Sequence, residues 1–171
     1  MKYYTGIGSR DIPLEYGKRM FETCERLSNL GYILRSGGAD GSDTQAEMGQ
    51  GVGNSGKEIY LPFKNFNDRF TGIPLEDLDP GLVKKAELYV SEVHPNWEAV
   101  CRRNLVKKLH TRNIFQLLGR DLTIPSDFVL CYTDDGTPKG GTATVMNLAK
   151  KMGIPVYNLY YDNVEKFIEF L

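Results

Sequence analysis

Three clusters of glycine and small polar residues are the part of this sequence best suited to chemistry. They span residues 6–10, 36–43 and 140–144, and each follows a short apolar run. Glycine permits a positive φ and brings backbone N–H groups close to a ligand. Where such turns open helices, the unpaired N–H groups attract phosphate or another anion. The residues predicted to contact phosphate are Gly8, Ser9, Arg10, Gly37, Gly38, Ala39, Asp40, Ser42, Gly140, Gly141 and Thr142.

Arg112 and Asn113 form a second candidate group, because they interrupt an apolar stripe at helical spacing. The stripe consists of Trp97, Cys101, Leu105 and Leu109. Polar groups on a core-facing stripe are costly unless they are paired. Two interpretations remain open: a frayed helix end that turns both residues to water, or a site in which Arg112 binds phosphate and Asn113 contacts a base or ribose. His110 either joins that site or has a structural role.

Three acidic residues near the second cluster are candidates for a general acid or base. They are Asp40, Asp43 and Glu47. The alternative is that they form the turn and cap the helix, as aspartate commonly does. That helix is expected to begin at Ser42, since Ser42 and Gln45 have the spacing of a capping box.

Metal-ligating side chains are sparse. The sequence has only two histidines, and its three cysteines, Cys24, Cys101 and Cys131, are too far apart for a CxxC pair. One adjacent pair of aspartates, Asp134 and Asp135, is weak support for Mg²⁺. We therefore predict no metal site and no cofactor.

The alternation of strands and helices predicts an α/β fold with a parallel sheet and right-handed crossovers. Strands are expected at residues 2–5, 32–35, 57–61, 127–132 and 154–159. The prediction is a Rossmann-like, doubly wound, mostly parallel five-stranded sheet with helices on both faces, in one domain spanning 1–171. One long helix is expected after Pro95, and residues 63–93 form an inserted excursion. An assumed strand order of 3-2-1-4-5 brings all three glycine clusters to one crevice at the carboxyl ends of the strands.

Charge and hydropathy limit the function classes. With 21 basic and 22 acidic side chains and a net charge of −1, the protein does not hold nucleic acid by overall charge alone. Residues 95–120 nevertheless carry six basic side chains against Glu98. These charges either form a solvated helix face or attract a nucleotide or a nucleic-acid strand. No apolar run reaches the ~18 residues of a membrane span, and the N-terminus lacks a signal-peptide pattern. We expect a cytoplasmic protein with reduced thiols and no membrane partner.

Several common phosphate-binding and catalytic motifs are absent. Residues 56–58, Gly-Lys-Glu, lack the Ser or Thr that ends a Walker A loop. The GxGxxG fingerprint has Gly6 and Gly8 but Asp11 in place of its third glycine, which argues against ordinary NAD binding. No GxSxG nucleophile elbow occurs.

The three clusters together resemble the SLOG superfamily, which joins the LOG nucleotide phosphoribohydrolases with the Smf/DprA recombination mediators. The matching motifs are Gly-Ile-Gly-Ser-Arg at 6–10, Ser-Gly-Gly-Ala-Asp-Gly-Ser-Asp at 36–43 and Gly-Gly-Thr-Ala-Thr at 140–144. Residues 108–113, with Gly119 and Pro125 beyond them, are also similar to small SLOG-type proteins of phage genomes. The resemblance implies a Rossmann-like fold, a nucleotide ligand and a homo-oligomer.

The activity of the LOG enzymes transfers poorly, because their PGGxGTxxE motif is incomplete here. Lys139 replaces the proline, Ala143 the next glycine and Asn147 the glutamate that takes part in cleaving the base–ribose bond. Asparagine can neither take a proton nor stabilise an oxocarbenium ion by charge. Hydrolysis through that position is therefore disfavoured.

We therefore favour a protein that binds a nucleotide or a nucleotide-derived small molecule and so senses or sequesters a nucleotide signal. The first alternative is an N-glycosidic-bond hydrolase or transferase acting on nucleotides, with Asp40, Asp43 or Glu47 as its acid. The second is DprA-like binding of single-stranded DNA through the basic segment 95–120. Residues 63–93 serve either as an oligomerisation arm or as a lid.

Overall fold

A computed structural model describes residues 1–171, which form a six-stranded sheet flanked by helices. The strands are β1 (Lys2–Gly8), β2 (Tyr32–Ser36), β3 (Lys57–Leu61), β4 (Ile73–Pro74), β5 (Phe128–Tyr132) and β6 (Val156–Asn158). The helices are α1 (Leu14–Asn29), α2 (Ser42–Val52), α3 (Pro80–Val93), α4 (Trp97–Cys101), α5 (Asn104–Leu118), α6 (Gly140–Met152) and α7 (Val164–Ile168). Short 3₁₀ turns lie at Phe66–Asp68 and Leu75–Asp77. The strand order is β4-β3-β2-β1-β5-β6, and every adjacent pair is parallel.

Helices cover both faces of the sheet, so the fold is doubly wound. On one face α1, α2 and α7 pack against the strands, with Met20 and Leu130 in the same buried cluster. On the other face α3, α5 and α6 do so, through residues such as Ala86, Ile114 and Val129. Removing these apolar side chains from water is the main force that holds the helices on the sheet. No helix is long and apolar enough to cross a bilayer.

The five predicted strands are present in the predicted order, but the sheet has six strands rather than five. The additional strand, β4, comes from the excursion predicted at 63–93 and pairs with Tyr60 and Leu61 of β3. A strand of two residues that ends in proline has no alternating pattern, so the sequence period does not reveal it. The first strand also continues to Gly8, beyond its predicted end at residue 5.

The single helix predicted after Pro95 is wrong, because the segment forms two helices, α4 and α5. Arg103 lies between them with an extended backbone, φ −112° and ψ 98°, and this conformation ends the helical hydrogen bonding. The two helices do not share one continuous face. As a result, Cys101 and Leu105 of the predicted apolar stripe are exposed.

The carboxyl-terminal half of α5 is buried from His110 to Leu118. Arg112 and Asn113 are each only 5% exposed, although both are polar. The frayed-helix interpretation of these two residues is therefore wrong. Their burial requires protein partners or a ligand, because an unpaired buried charge is costly.

The second glycine loop leads into α2 at Ser42, as predicted, but the predicted capping box does not form. Gly41 is the N-cap residue, and no side chain caps this helix. The Ser42 hydroxyl instead donates a hydrogen bond to the carbonyl of Ser9 at 2.8 Å. Ser42 therefore connects two loops rather than stabilising the start of the helix.

Helices α1 and α2 approach each other most closely at Gly49. A Cβ atom at this position would lie 2.1 Å from the carbonyl oxygen of Phe21 on α1. We expect Gly49→Ala to destabilise the protein by about 1–3 kcal/mol, since the helices must move apart. Gly51→Ala on the same helix is the matched control, because a Cβ there meets no atom within 4 Å. It should stabilise the protein by about 0.5–1 kcal/mol, and equal effects of the two substitutions in urea unfolding would contradict this packing.

Candidate functional site

The three glycine loops meet in one cleft at the carboxyl ends of the strands, where the strand order reverses between β1 and β5. The cleft has a volume of about 510 Å³. The predicted site residues that line it are Gly8, Ser9, Arg10, Ala39, Asp43, Arg112, Asn113, Gly140, Gly141 and Thr142. The fold thus brings together residues that lie more than 130 positions apart in the sequence.

Hydrogen bonds join the first loop to the start of α2 and to the end of β5. The carbonyl of Ser9 accepts from the backbone N–H of Ser42 at 3.0 Å as well as from its hydroxyl, and the Ser9 N–H donates to the carbonyl of Tyr132 at 2.9 Å. Gly41 has a φ of 75°, and a Cβ there would lie 2.2 Å from the carbonyl oxygen of Arg10. Only glycine fits this position. The first and second loops are therefore held together by contacts within the protein, without a ligand between them.

The N-terminus of α6 forms one wall of the cleft. Gly140, Gly141 and Thr142 line the cleft, and no side chain caps the helix at Lys139. The N–H groups of the first helical turn have no partner within a helix. Together with the positive end of the helix dipole, they make this wall suitable for an anion.

Arg112 connects α5 to the second loop. Its Nη1 donates to the carbonyls of Gly37 and, at 3.3 Å, Tyr60, while its Nε donates to Oδ1 of Asn113 at 2.9 Å. Its Nη2 makes no hydrogen bond within the protein. Burial lowers the pKa of this guanidinium to about 10, although the neighbouring Asp43 raises it, so the group is charged at neutral pH. One terminal N–H₂ group of a buried cation is therefore unpaired beside the cleft.

Asn113 connects α5 to the third loop. Its Nδ2 donates to the carbonyl of Gly141 at 2.9 Å, and its Oδ1 accepts from Arg112. Both polar atoms of the amide therefore have a protein partner. Asn113 therefore holds Gly141 and Arg112 in place. This structural role differs from the predicted contact with a base or ribose.

Asp43 is the one candidate acid that lines the cleft. It is 5% exposed, and its Oδ2 accepts a hydrogen bond from the Ala39 N–H at 3.3 Å. Burial raises the pKa of this carboxyl to about 6, against the opposing effect of Arg112 and of backbone N–H donors. A carboxyl that titrates near neutral pH inside a cleft is suited to proton transfer.

The other two candidate acids, Asp40 and Glu47, lie outside the cleft. Asp40 is exposed and accepts a hydrogen bond from Nδ2 of Asn67 at 3.0 Å. Glu47 pairs with Lys57 at 2.8 Å and with Arg69 at 2.7 Å. Burial raises the pKa of Glu47, but the hydrogen bonds and charges of Arg69 and Lys57 lower it by more. The pKa of Glu47 is therefore below its usual value. The structure places neither residue where it can act on a ligand in the cleft.

Gly37, Gly38 and Ser42, which were predicted to contact phosphate, also do not line the cleft. A Cβ at Gly37 would lie 2.2 Å from Nε2 of Gln116, so this glycine makes room for α5. Gly38 has a φ of 66° and faces Arg69. A Cβ at Gly38 would lie 2.9 Å from Cδ of Arg69. The glycines of the second loop are therefore explained by contacts within the protein rather than by a ligand.

The cleft also contains residues that the sequence reasoning did not assign to it. Thr133 and Asp134 lie directly after β5, and Val106 and Leu109 form an apolar wall on α5. The position of Thr133 and Asp134 at the carboxyl end of a central strand is a signal that would have found them. Val106 and Leu109 carried no such signal, because the break between α4 and α5 decides which face of α5 they occupy.

Lys139 is a further residue of the cleft that was not predicted to contact a ligand. Its Nζ lies 2.9 Å from Asp134 and 2.8 Å from Asp135. These two carboxylates raise the pKa of the exposed lysine through hydrogen bonds. The pair of aspartates therefore holds a lysine beside the N-terminus of α6.

Comparison with known proteins gives a fold but not a family. No protein-family model matches the sequence, and no curated protein matches it. DNA processing protein A from Helicobacter pylori, whose solved structure concerns its single-stranded DNA binding mode, has a TM-score of 0.54 and 15% sequence identity. The match covers 92% of this chain and 64% of that one.

DNA processing protein A (DprA) from Streptococcus pneumoniae has the same TM-score of 0.54 at 18% identity. This match covers 92% of the present chain and 49% of the other. The chain thus spans less than two thirds of the length of either structure. At these identities the likeness concerns architecture, and it supports the Rossmann-like fold that the SLOG resemblance implied: the chain has a DprA-like α/β fold.

Proposed function

We propose that the cleft binds a nucleotide through its phosphate. The observation that carries this proposal is the uncapped N-terminus of α6, which shares the cleft with Arg10 and Arg112. Backbone N–H groups, a helix dipole and guanidinium groups are together the usual partners of phosphate oxygens in proteins. Arg10 is exposed and has no ion-pair partner, so its charge is available to a ligand.

The form of the cleft favours a small molecule over a polynucleotide. Of its 18 lining residues, four are hydrophobic, and these are the aliphatic Ile7, Ala39, Val106 and Leu109. No Phe, Tyr or Trp side chain lines it, although proteins that hold single strands stack successive bases on such rings. An aliphatic wall beside a phosphate site suits one base or one ribose.

Binding of single-stranded DNA is the second candidate, because the DprA of Helicobacter pylori has this property and shares the fold. Four of the six basic residues of the segment remain available for it. Arg102, Arg103 and Arg120 are exposed and Lys108 is half-exposed, whereas Lys107 pairs with Glu87 at 3.3 Å and Arg112 is buried. All four available residues lie outside the cleft, which has the helix N-terminus and two other arginines. We therefore rank this function below nucleotide binding.

Cleavage of an N-glycosidic bond is a third candidate, supported only by Asp43. Its raised pKa and its place in the cleft suit a general acid, and water would be the co-reactant. Release of free base from a nucleoside monophosphate, lost in Asp43→Asn, would support catalysis in place of simple binding. A homo-oligomer remains a prediction, which light scattering can test.

Arg10→Ala separates the first two candidates. We expect it to weaken the binding of nucleoside monophosphates at least tenfold in calorimetry, since a charged hydrogen bond contributes about 1.5–3 kcal/mol. The paired substitution Arg102→Ala lies outside the cleft and should leave that affinity unchanged. If instead no monophosphate binds, and single-stranded DNA binds in a manner that Arg102→Ala weakens, the DNA-binding function replaces the one proposed here.

A further inference from the structure

A second chamber lies beside the cleft, on the other side of the first turn of α6. Its volume is about 290 Å³, close to the lower end of the range of about 300–1,000 Å³ for small-molecule pockets. It shares His110 and Gly140 with the cleft. The remaining lining residues are Val93, His94, Pro95, Pro138, Ala143, Thr144 and Asn147.

The chemistry of the two spaces differs. The cleft contains three cationic side chains, Arg10, Arg112 and Lys139, whereas the chamber has no Lys, Arg, Asp or Glu. The chamber offers the hydrogen-bonding side chains of histidine, threonine and asparagine between apolar walls of proline and valine. A charged group would find no Lys, Arg, Asp or Glu partner there. The chamber therefore suits an uncharged, hydrogen-bonding ring.

His110 is the group at the junction of the two spaces. It is 7% exposed, and its Nδ1 lies 2.7 Å from Oγ1 of Thr144, while its Nε2 has no partner within the protein. Burial, with smaller contributions from His94 and Arg112, lowers the pKa of the imidazole to about 4. The ring is therefore neutral at pH 7 and presents an unpaired nitrogen suited to an uncharged partner.

Two more hydrogen-bonding side chains complete the chamber, His94 and Asn147. The ring of His94 stands nearly perpendicular to that of His110, with 4.8 Å between the ring centroids. The amide of Asn147 is half-buried and makes no side-chain hydrogen bond within the protein. An amide can pair with the edge of a base or with sugar hydroxyls, since it both donates and accepts hydrogen bonds.

Gly140 borders both spaces. A Cβ at this position would meet no atom within 4 Å, so no protein group covers the backbone of the first turn of α6 there. A phosphate on this turn would have the cleft on one side and the chamber on the other. A group attached to that phosphate would therefore lie next to the chamber.

We propose that the ligand is a nucleotide whose phosphate carries a second uncharged ring, as in a nucleoside diphosphate sugar, and that His94, His110 and Asn147 bind this ring in the chamber. This inference rests on the proposed function and narrows its ligand class. It assigns the phosphates to α6 with Arg10 and Arg112. A nucleoside monophosphate would fill the cleft alone and leave the chamber to water.

Calorimetry with matched series of ligands tests the inference: AMP, ADP and ADP-ribose; UMP, UDP and UDP-glucose; GMP, GDP and GDP-mannose. In at least one series the sugar-bearing compound should bind about tenfold or more tightly than its diphosphate, which corresponds to ~1.4 kcal/mol. Asn147→Leu and His94→Ala should each remove most of this gain and leave the affinity for the diphosphate within about twofold. Lys150→Ala, on an exposed part of α6 outside both spaces, is the control and should change neither affinity.

The outcomes separate the two proposals. If diphosphates bind and depend on Arg10, but no sugar-bearing compound binds more tightly, the inference about the chamber is wrong and the proposed function stands. A gain that persists in Asn147→Leu and His94→Ala also overturns the inference, since the second ring then binds elsewhere. If none of the nine compounds binds, the proposed function fails, and the inference fails with it.

Discussion

Replacement of Arg112 by methionine is expected to destabilise the protein by about 3 kcal/mol or more, because each hydrogen bond of a charged group contributes about 1.5–3 kcal/mol. The substitution takes away the hydrogen bonds to the carbonyls of Gly37 and Tyr60. It also leaves Asp43 as a buried carboxyl without its neighbouring cation. Chemical denaturation of both proteins at pH 7 measures this loss, and nucleotide affinity should fall as well.

A double substitution separates the loss of the positive charge near Asp43 from the loss of packing. Adding Asp43→Asn to Arg112→Met should recover part of the lost stability, because no unpaired charge then remains buried. Lys108→Met is the matched control, one helical turn earlier on α5, since Lys108 makes no ion pair. It should change the free energy of unfolding by less than about 0.5 kcal/mol. A destabilisation below 1 kcal/mol in Arg112→Met would contradict the structural role given to this residue.

Asp43→Asn is expected to make the protein markedly more sensitive to acid between pH 6.5 and pH 4. Asp43 and His110 have opposite effects in this window. The folded-state pKa of Asp43 is raised to about 6, so the folded protein takes up this proton before the unfolded chain does, and stability rises as the pH falls. The folded-state pKa of His110 is lowered to about 4, so the unfolded chain is protonated first and stability falls.

The two contributions nearly cancel in the wild-type protein. Each corresponds to a shift of about two pKa units, or roughly 3 kcal/mol at full extent. In Asp43→Asn only the loss from His110 remains, while asparagine still accepts the hydrogen bond from Ala39. Urea unfolding at pH 6.5, 5.5 and 4.5 measures the difference. His110→Gln should show the reverse trend, and equal pH slopes in the wild-type protein and Asp43→Asn would show that Asp43 does not titrate in this range.

The order of the main strands was assumed because it is typical of doubly wound sheets, and the structure has this order. Parallel strands present their carboxyl ends at one edge, so the assumed order already implied a common crevice. The register of β1 and β5 fulfils that expectation, since Gly8 lies beside Tyr132. Strand β3 has the predicted bounds, residues 57–61. These features depend on local patterns and on general rules of topology.

The orientation of individual loop residues did not follow from the sequence. Ala39 lines the cleft, whereas Gly37 and Gly38 face other parts of the protein. Gly37 accepts a hydrogen bond from Arg112, 75 positions away in the sequence, and Gly38 faces Arg69. A pattern within residues 36–43 contains no information on this distant contact.

The second chamber was also beyond reach of the sequence. Its walls come from the end of α3, the middle of α5 and the first turns of α6. Which faces of these helices meet depends on the break at Arg103, whereas the sequence predicts one long helix after Pro95. Asn147 had been considered only as the position of a missing acid. Its place in a neutral chamber became apparent from the packing of α6 against α5.

The hydrogen bonds that join Ser9 to Ser42 and to Tyr132 have a thermodynamic consequence for recognition. Because these turns are already immobilised when the chain folds, the arriving molecule meets a rigid receptor and the loss of conformational entropy on association is small. Backbone shifts below about 1 Å are usual for such pre-organised sites. The free and ligand-bound forms should therefore give nearly the same amide hydrogen exchange in these turns. The residence time of the ligand should depend on its own contacts rather than on a slow rearrangement of the protein.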